Sequence, residues 1–252
     1  MGKGSRTTSG VMWSAIERFS VQGVQFVLSF IIAKQLLPQD YGLVAMLSVF
    51  MAIAQTFIDS GFTSALIQKQ NRSQSDFSTV FYFGVTVSCI CYLLLRWAAP
   101  LIAGFYNEPL LEEIIIWFGL NLIISSFATV QRAILIIDIN FRKQALVSLF
   151  SVLLSGAVAV YMAYGGYGVW SLVVQTLLNN TLNTVILWIS VKWVPSPEFS
   201  MLSFRTLFSY GSKLLAGGLI HTVFTNLYTA IIGKVYNTLQ LGLYNRAQTT
   251  SN

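Results

Sequence analysis

Long apolar runs alternate with short polar breaks along almost the whole chain. A run of about 20 apolar residues is the length that an α-helix needs to cross the hydrocarbon core of a bilayer. Each break concentrates the proline, glycine and polar residues that end helices. The pattern predicts seven membrane spans, at Val11–Leu36, Tyr41–Gln68, Phe77–Phe105, Leu110–Ile137, Phe141–Tyr164, Gly168–Val191 and Phe204–Tyr236.

The composition excludes the main classes of water-soluble protein. Of the 252 residues, 55% are hydrophobic and only 10% are charged, with a mean hydropathy of +0.66, whereas ordinary soluble domains carry roughly 25% charged residues. Two cysteines are too few for a disulfide-rich secreted scaffold, and an aromatic content of 14% excludes a disordered chain. Because lipid offers no hydrogen-bond partner to the backbone, the runs must be helical. We therefore expect an all-α polytopic membrane protein.

Basic residues fall mainly on one side of the predicted membrane. With the N-terminus inside, ten lysines and arginines lie in cytoplasmic segments and only Lys34 lies in an outside loop. Another outside loop holds Glu108, Glu112 and Glu113 with no cation beside them. The positive-inside rule therefore predicts a cytoplasmic N-terminus. The same rule accounts for the net charge of +6, so we expect no nucleic-acid partner.

The sequence matches itself at an offset of 200 residues. Ile31-Ile32-Ala33-Lys34 matches Ile231-Ile232-Gly233-Lys234, and Gly42-Leu43 matches Gly242-Leu243 without a gap. Six predicted helices separate the two copies, so both units enter the membrane from the same side and form a parallel repeat. We expect a six-helix lobe at 1–200, followed at 201–252 by the start of a second lobe with span seven and an incomplete span eight. The chain then corresponds to a truncated, N-terminal half of a two-lobed protein.

Three charged residues lie inside the predicted spans near the cytoplasmic side. Glu17 and Arg18 lie one to two turns into span one, and Asp59 lies at a similar depth in span two. A charge inside the bilayer costs about 2.5–3.5 kcal/mol on insertion scales and usually faces a cavity. We expect Arg18 and Asp59 to pair across neighbouring helices at a cationic cavity mouth that attracts pyrophosphate. The structural alternative is a snorkelling Arg18 and an ion pair without a role in transport.

Neutral polar residues cluster in span six. Asn179 and Asn183 are four residues apart, as are Asn180 and Thr184, so each pair shares one face of the helix. Amides and hydroxyls of this kind hydrogen-bond sugars, which favours a glycan path along this helix. The alternative is hydrogen bonding between neighbouring helices of the bundle.

The sequence lacks the patterns typical of a catalytic or metal centre. Arg132, Arg142 and Lys143 flank the fourth cytoplasmic break, where the positive-inside rule explains them without a phosphate site. Cys89 and Cys91 lie in an apolar run without other soft ligands, and no Walker-type loop occurs. A membrane glycosyl- or acyltransferase would need an acidic pair or a histidine-centred site beside a long loop, and every predicted loop is short. We expect no cofactor, no metal and no enzymatic activity.

Five stretches, spread over nearly the whole chain, carry a resemblance to a known family. They are Ala33–Met46 (AKQLLPQDYGLVAM), Asp59–Gln68 (DSGFTSALIQ), Gln131–Ala145 (QRAILIIDINFRKQA), Gly165–Gln175 (GGYGVWSLVVQ) and Ser209–Ala247 (SYGSKLL…LYNRA). Together they resemble the bacterial polysaccharide-biosynthesis exporters. These are the Wzx-type O-antigen and exopolysaccharide flippases of the multidrug/oligosaccharidyl-lipid/polysaccharide exporter superfamily.

The resemblance implies a flippase of the bacterial inner membrane, with two six-helix lobes around a central cavity. Its substrate would be an undecaprenyl-pyrophosphate-linked oligosaccharide, moved from the inner to the outer leaflet by alternating access. Membrane lipid and polysaccharide polymerases are the further partners that the resemblance implies. Two alternatives remain open, a MATE-like ion-coupled antiporter of small molecules and a nonfunctional truncated fragment.

Overall fold

The protein folds into a bundle of helices in the computed structural model. The structure describes residues 3–59, 61–235 and 238–251, with side chains at 12–16, 18–59, 61–235 and 238–244. Within these ranges no strand occurs. The helices are α1 (Lys3–Ala33), α2 (Pro38–Asp59), α3 (Phe62–Gln68), α4 (Gln74–Tyr106), α5 (Leu110–Ile137), α6 (Phe141–Tyr164), α7 (Trp170–Val191), α8 (Met201–Val235) and α9 (Thr238–Ser251).

Seven helical segments of the described chain are long and apolar enough to cross a membrane, with α2 and α3 together forming one of them. These segments correspond to the seven spans predicted from the sequence, and the prediction of an all-α polytopic membrane protein is confirmed. Span four is α5, span six is α7 and span seven is α8.

The connections between helices gather at two ends of the bundle. At one end, the side-chain amide of Gln74 donates to the carbonyl of Val194 over 2.8 Å, which ties the start of α4 to the segment after α7. At the other end, the Thr238 hydroxyl donates to Glu108 Oε1 over 3.1 Å, which ties the start of α9 to the α4–α5 connection. We call these the basic end (connections 69–73, 138–140 and 192–200) and the acidic end (connections 34–37, 107–109 and 165–169).

Some helices pack against their neighbours in the chain, and others pack against helices that are distant in sequence. α1 packs against α6, α6 against α7, α7 against α5, and α5 against α4, while α2 packs against α4, α5, α8 and α9. Small residues allow the helices to approach each other closely. Such residues are expected at helix contacts in lipid, because the hydrophobic effect does not drive helices together there and close packing must stabilise the contact. At Gly156, for example, the Leu28 side chain of α1 occupies the space that a Cβ would fill.

The two halves of the internal repeat contact each other reciprocally where α2 meets α9. A Cβ on Gly42 would overlap the carbonyl oxygen of Thr238, and a Cβ on Gly242 would overlap the carbonyl oxygen of Pro38. The two contacts are related to each other by the offset of 200 residues, because Gly42 corresponds to Gly242 and Pro38 to Thr238. A two-fold relation produces this kind of contact, in which each copy presents the same patch to the other.

The second predicted span differs from the structure because it is not one continuous helix. α2 ends at Asp59 and α3 begins at Phe62, with Gly61 at φ +70° between them. This left-handed conformation is accessible to glycine at little cost. A side chain on Gly61 would also lie 2.8 Å from the backbone of Gly211 in α8. The break therefore allows α3 to turn while α8 approaches closely.

Candidate functional site

One side of α7 carries six polar side chains that are buried or half-buried in the bundle. They lie in two adjacent rows with a spacing of four residues, which brings the members of each row onto one face of the helix. The first row is Gln175, Asn179 and Asn183, and the second is Thr176, Asn180 and Thr184. We call these six residues the α7 polar face.

The second row serves mainly to hold α7 against α5. The side-chain amide of Asn180 donates to Asn121 Oδ1 over 2.9 Å, and the Thr184 hydroxyl donates to the carbonyl of Ile124 over 3.1 Å. Each bond satisfies a polar group that has no water partner in hydrocarbon. For Asn180 and Thr184 the structure thus shows hydrogen bonding between helices, which was the structural alternative at the sequence level.

The first row borders a cavity near the acidic end of the bundle. This acidic-end cavity of about 310 Å³ lies between α1, α6 and α7, with Gln25, Ser29, Gln175, Thr176 and Asn179 among its lining residues. The Oδ1 atom of Asn179 is buried and has no hydrogen-bond partner within the described part of the chain. A buried acceptor left unpaired costs about 1–3 kcal/mol, so this oxygen is a favourable acceptor for a donor on a ligand.

A second cavity of about 250 Å³ lies along the same row near the basic end. This basic-end cavity is lined by Arg132 of α5, by Gln144 and Ser148 of α6, and by Asn183 of α7 together with Val147 and Leu187. The Nη2 atom of Arg132 donates to Asn183 Oδ1 over 3.0 Å. Among the described residues, Gln144 Oε1 is buried without a hydrogen-bond partner, as Asn179 Oδ1 is. Asn179 and Asn183 are separated by about 6 Å along the helix, so the α7 polar face borders both cavities.

Polar side chains also link α2 to α5. The side-chain amide of Gln55 donates to Asp59 Oδ1 over 3.2 Å, and the Ser125 hydroxyl donates to Gln55 Oε1 over 3.4 Å. Polar groups of α2 therefore contact a polar residue of the helix that carries Arg132.

The predicted pairing of Arg18 with Asp59 is wrong. No ion pair joins these two described residues, and the extensive contacts of α1 are with α6. α1 and α2 meet only towards the acidic end, where Ile32 and Tyr41 share an apolar cluster. Towards the basic end α2 turns to α8, and the hydroxyls of Thr56 and Thr222 lie 2.9 Å apart. The predicted pair requires α1 and α2 to be neighbours over their full length, and the packing of α1 against α6 does not allow this.

Arg18 lies on the face of α1 that leads to the acidic-end cavity. It is exposed and follows the spacing of Gln22, Gln25 and Ser29, two of which line that cavity. The side chain of Glu17 lies outside the described residues.

The positive-inside rule explains Arg132 from the sequence alone, and this interpretation misses its place in the interior. It lies inside α5 and borders a cavity. The spacing of Asn121, Ser125, Thr129 and Arg132, at intervals of four, four and three, already indicated one polar face on α5. This periodicity was the signal that could have identified it.

A helical bundle with seven candidate spans and a polar face that borders two cavities defines a multi-pass membrane protein with polar groups in its interior. Comparison with known families gives the particular group. The chain belongs to the family described as polysaccharide biosynthesis protein, whose model matches residues 31–252, and the resemblance stated from the sequence is confirmed.

The relatives are proteins of bacterial polysaccharide synthesis. The chain is 25% identical over 244 residues to the teichuronic acid biosynthesis protein TuaB of Bacillus subtilis, covering 95% of this chain and 50% of that protein. It is 23% identical over 244 residues to the lipopolysaccharide biosynthesis protein WzxC of Escherichia coli, covering 96% and 50%. It is also 23% identical over 240 residues to the succinoglycan biosynthesis transport protein ExoT of Rhizobium meliloti, covering 95% and 49%. The chain thus spans about half the length of these relatives. No solved structure matches it significantly.

Proposed function

We propose that the chain forms part of a flippase that moves a lipid-linked oligosaccharide across the bacterial inner membrane by alternating access. The observation that carries this proposal is the α7 polar face, which borders two cavities between the helices. The names of the relatives support the polysaccharide class, since one of them is described as a transport protein for succinoglycan synthesis.

The polar groups along this face suit a glycan. A sugar hydroxyl is both a donor and an acceptor of hydrogen bonds, and the face offers neutral amides and hydroxyls in both roles. The unpaired acceptors Asn179 Oδ1 and Gln144 Oε1 lie one in each cavity wall. A hydroxyl that donates to either oxygen would remove its desolvation penalty. We therefore assign sugar recognition to Asn179, Asn183 and Gln144, and a helix-bridging role to Asn180.

Arg132 is the cation that we assign to the phosphate groups of the substrate. A guanidinium is well suited to phosphate oxygens because it presents several donors in a fixed plane. Arg132 borders the basic-end cavity and is held by Asn183 on one side. Arg18, exposed on α1, would attract the anion at an earlier stage.

The proposal includes a substrate, an orientation and a division into domains. The carrier is undecaprenyl pyrophosphate, and polysaccharide polymerases would receive the product. The N-terminus and the basic end lie in the cytoplasm, which agrees with the positive-inside rule. Residues 1–200 form the first six-helix lobe and residues 201–252 begin a second, a division supported by the reciprocal contact of Gly42 and Gly242 with the opposite repeat.

The test is complementation in the source bacterium. Deletion of the gene that encodes this chain should abolish the surface polysaccharide, and a plasmid copy should restore it. A copy with Arg132→Ala and Asn183→Ala should restore little, whereas the matched control Leu153→Ala, at an exposed apolar position on α6, should restore it fully. An unchanged surface polysaccharide after deletion, with altered susceptibility to toxic small molecules, would contradict the proposal and favour the antiporter.

A further inference from the structure

A groove on the outer surface of the bundle lies directly behind the basic-end cavity. It has a volume of about 530 Å³ and runs between the first half of α6 and the last turns of α7, within the range of roughly 300–1,000 Å³ that is typical of small-molecule sites. We call it the α6–α7 groove. Its lining includes Lys143, Phe150, Ile189, Ser190 and Lys192.

The α6–α7 groove is cationic at the basic end of the bundle and apolar along the rest of its lining. Lys143 stands in the first turn of α6 and Lys192 caps α7, so both exposed lysines lie at the basic end. Further along, Phe150 is 57% exposed and Ile189 is 68% exposed, on surfaces that would face hydrocarbon. This distribution matches an amphiphile that has an anionic head at the membrane surface and an apolar tail along the helices.

The α6–α7 groove and the basic-end cavity share one wall residue. Val147 lines both of them. It packs in one apolar cluster with Leu187, which lines the cavity side. The polar chamber that contains Arg132 and Asn183 is therefore adjacent to the lipid-facing groove.

We infer that the lipid-linked substrate first docks in the α6–α7 groove. Before its phosphate reaches Arg132, the polyprenyl phosphate part lies with the phosphate at Lys143 and Lys192 and the hydrocarbon tail along Phe150 and Ile189. This inference rests on the proposed function and names the place where the carrier docks. A phospholipid of the bulk membrane has a small headgroup that stays at the interface. A lipid-linked glycan must place its sugars in a polar chamber while its tail remains in lipid. The position of the groove beside the basic-end cavity meets this requirement.

The test measures binding of undecaprenyl phosphate to the purified 252-residue chain by native mass spectrometry. The unaltered chain should bind undecaprenyl phosphate in preference to phosphatidylglycerol. The double variant Lys143→Gln and Lys192→Gln should lose affinity for undecaprenyl phosphate roughly 10- to 30-fold. Each of the two lysines is expected to contribute about three- to five-fold to the affinity for an anionic group. The matched control Arg205→Gln removes a cation from an exposed site in the first turns of α8, away from the groove, and should bind as the unaltered chain does.

A second variant tests the apolar part of the groove. Ser190→Trp should fill the groove and weaken the binding of undecaprenyl phosphate, whereas Ser209→Trp, at an exposed serine of α8, should not. A photoreactive undecaprenyl phosphate should label peptides 143–150 and 186–192. Any of three results would overturn the inference. The lysine variant and Arg205→Gln could lose the same affinity, phosphatidylglycerol could bind as tightly as undecaprenyl phosphate, or the photoreactive lipid could label other peptides. Binding at the groove in a chain that the complementation test shows to be unrelated to polysaccharide export would support the inference and contradict the proposed function.

Discussion

The bond between Arg132 and Asn183 should couple α5 to α7 measurably. We consider the single variants Arg132→Ala and Asn183→Ala and the double variant. The Nη2 and Oδ1 atoms lie 3.0 Å apart in a partly buried site. Hydrogen bonds to charged groups contribute about 1.5–3 kcal/mol, whereas polar pairs in membrane helices average about 0.6 kcal/mol. We therefore expect a coupling free energy of about 1–2 kcal/mol, which is roughly 5- to 30-fold in the unfolding equilibrium.

The assay is equilibrium unfolding of the purified chain in mixed micelles, followed by circular dichroism. A double-mutant cycle isolates the pairwise term from the separate effects of the two substitutions. Arg132→Ala combined with Thr222→Ala on α8 serves as the control, and its two effects should add to within about 0.5 kcal/mol. If the Arg132 and Asn183 effects add as closely as those of the control pair, the bond does not exist and the description of the basic-end cavity is wrong.

Three further predictions concern packing, capping and topology. Gly42→Ala should lower the free energy of unfolding by about 1–3 kcal/mol, because the new methyl group overlaps the backbone of α9. Gly84→Ala has open space around the methyl group and should change this free energy little. A larger decrease for Gly84→Ala than for Gly42→Ala would contradict the α2–α9 contact. Asp76→Ala should lower the free energy of unfolding by roughly 1–3 kcal/mol in the same assay, since this buried carboxylate completes the capping box of α4 and forms a salt bridge. The control Glu112→Ala, at an exposed position, should leave the free energy of unfolding nearly unchanged. In a background without native cysteines, Glu112→Cys should react with an impermeant thiol reagent in intact cells and Asn71→Cys should not; the reverse result would invert the topology.

The sequence predicts the membrane spans well because they depend on local composition. A run of about 20 apolar residues must become a helix in lipid wherever its neighbours lie. The break between α2 and α3 was not predicted, since the left-handed conformation of Gly61 depends on the approach of Gly211 from α8. That contact joins positions 150 residues apart, and hydropathy carries no information about it.

The candidate site was predicted in part, and the errors have a common cause. The spacing of Asn179 and Asn183 defines a helix face in any packing arrangement, and both residues line cavities. The pairing of Arg18 with Asp59 required knowledge of which helices are neighbours, and α1 packs against α6. The interior position of Arg132 was hidden because a cation near the end of a span also fits the positive-inside rule.

The central claim is that this chain belongs to a protein that moves a lipid-linked oligosaccharide between leaflets. The most direct measurement is the distribution of that glycolipid between the two leaflets of the inner membrane in spheroplasts of the source bacterium, probed with an impermeant lectin or glycosidase. After deletion of the gene that encodes the chain, the glycolipid should accumulate on the cytoplasmic side and become inaccessible to the probe. An unchanged accessible fraction in the deletion strain would contradict it.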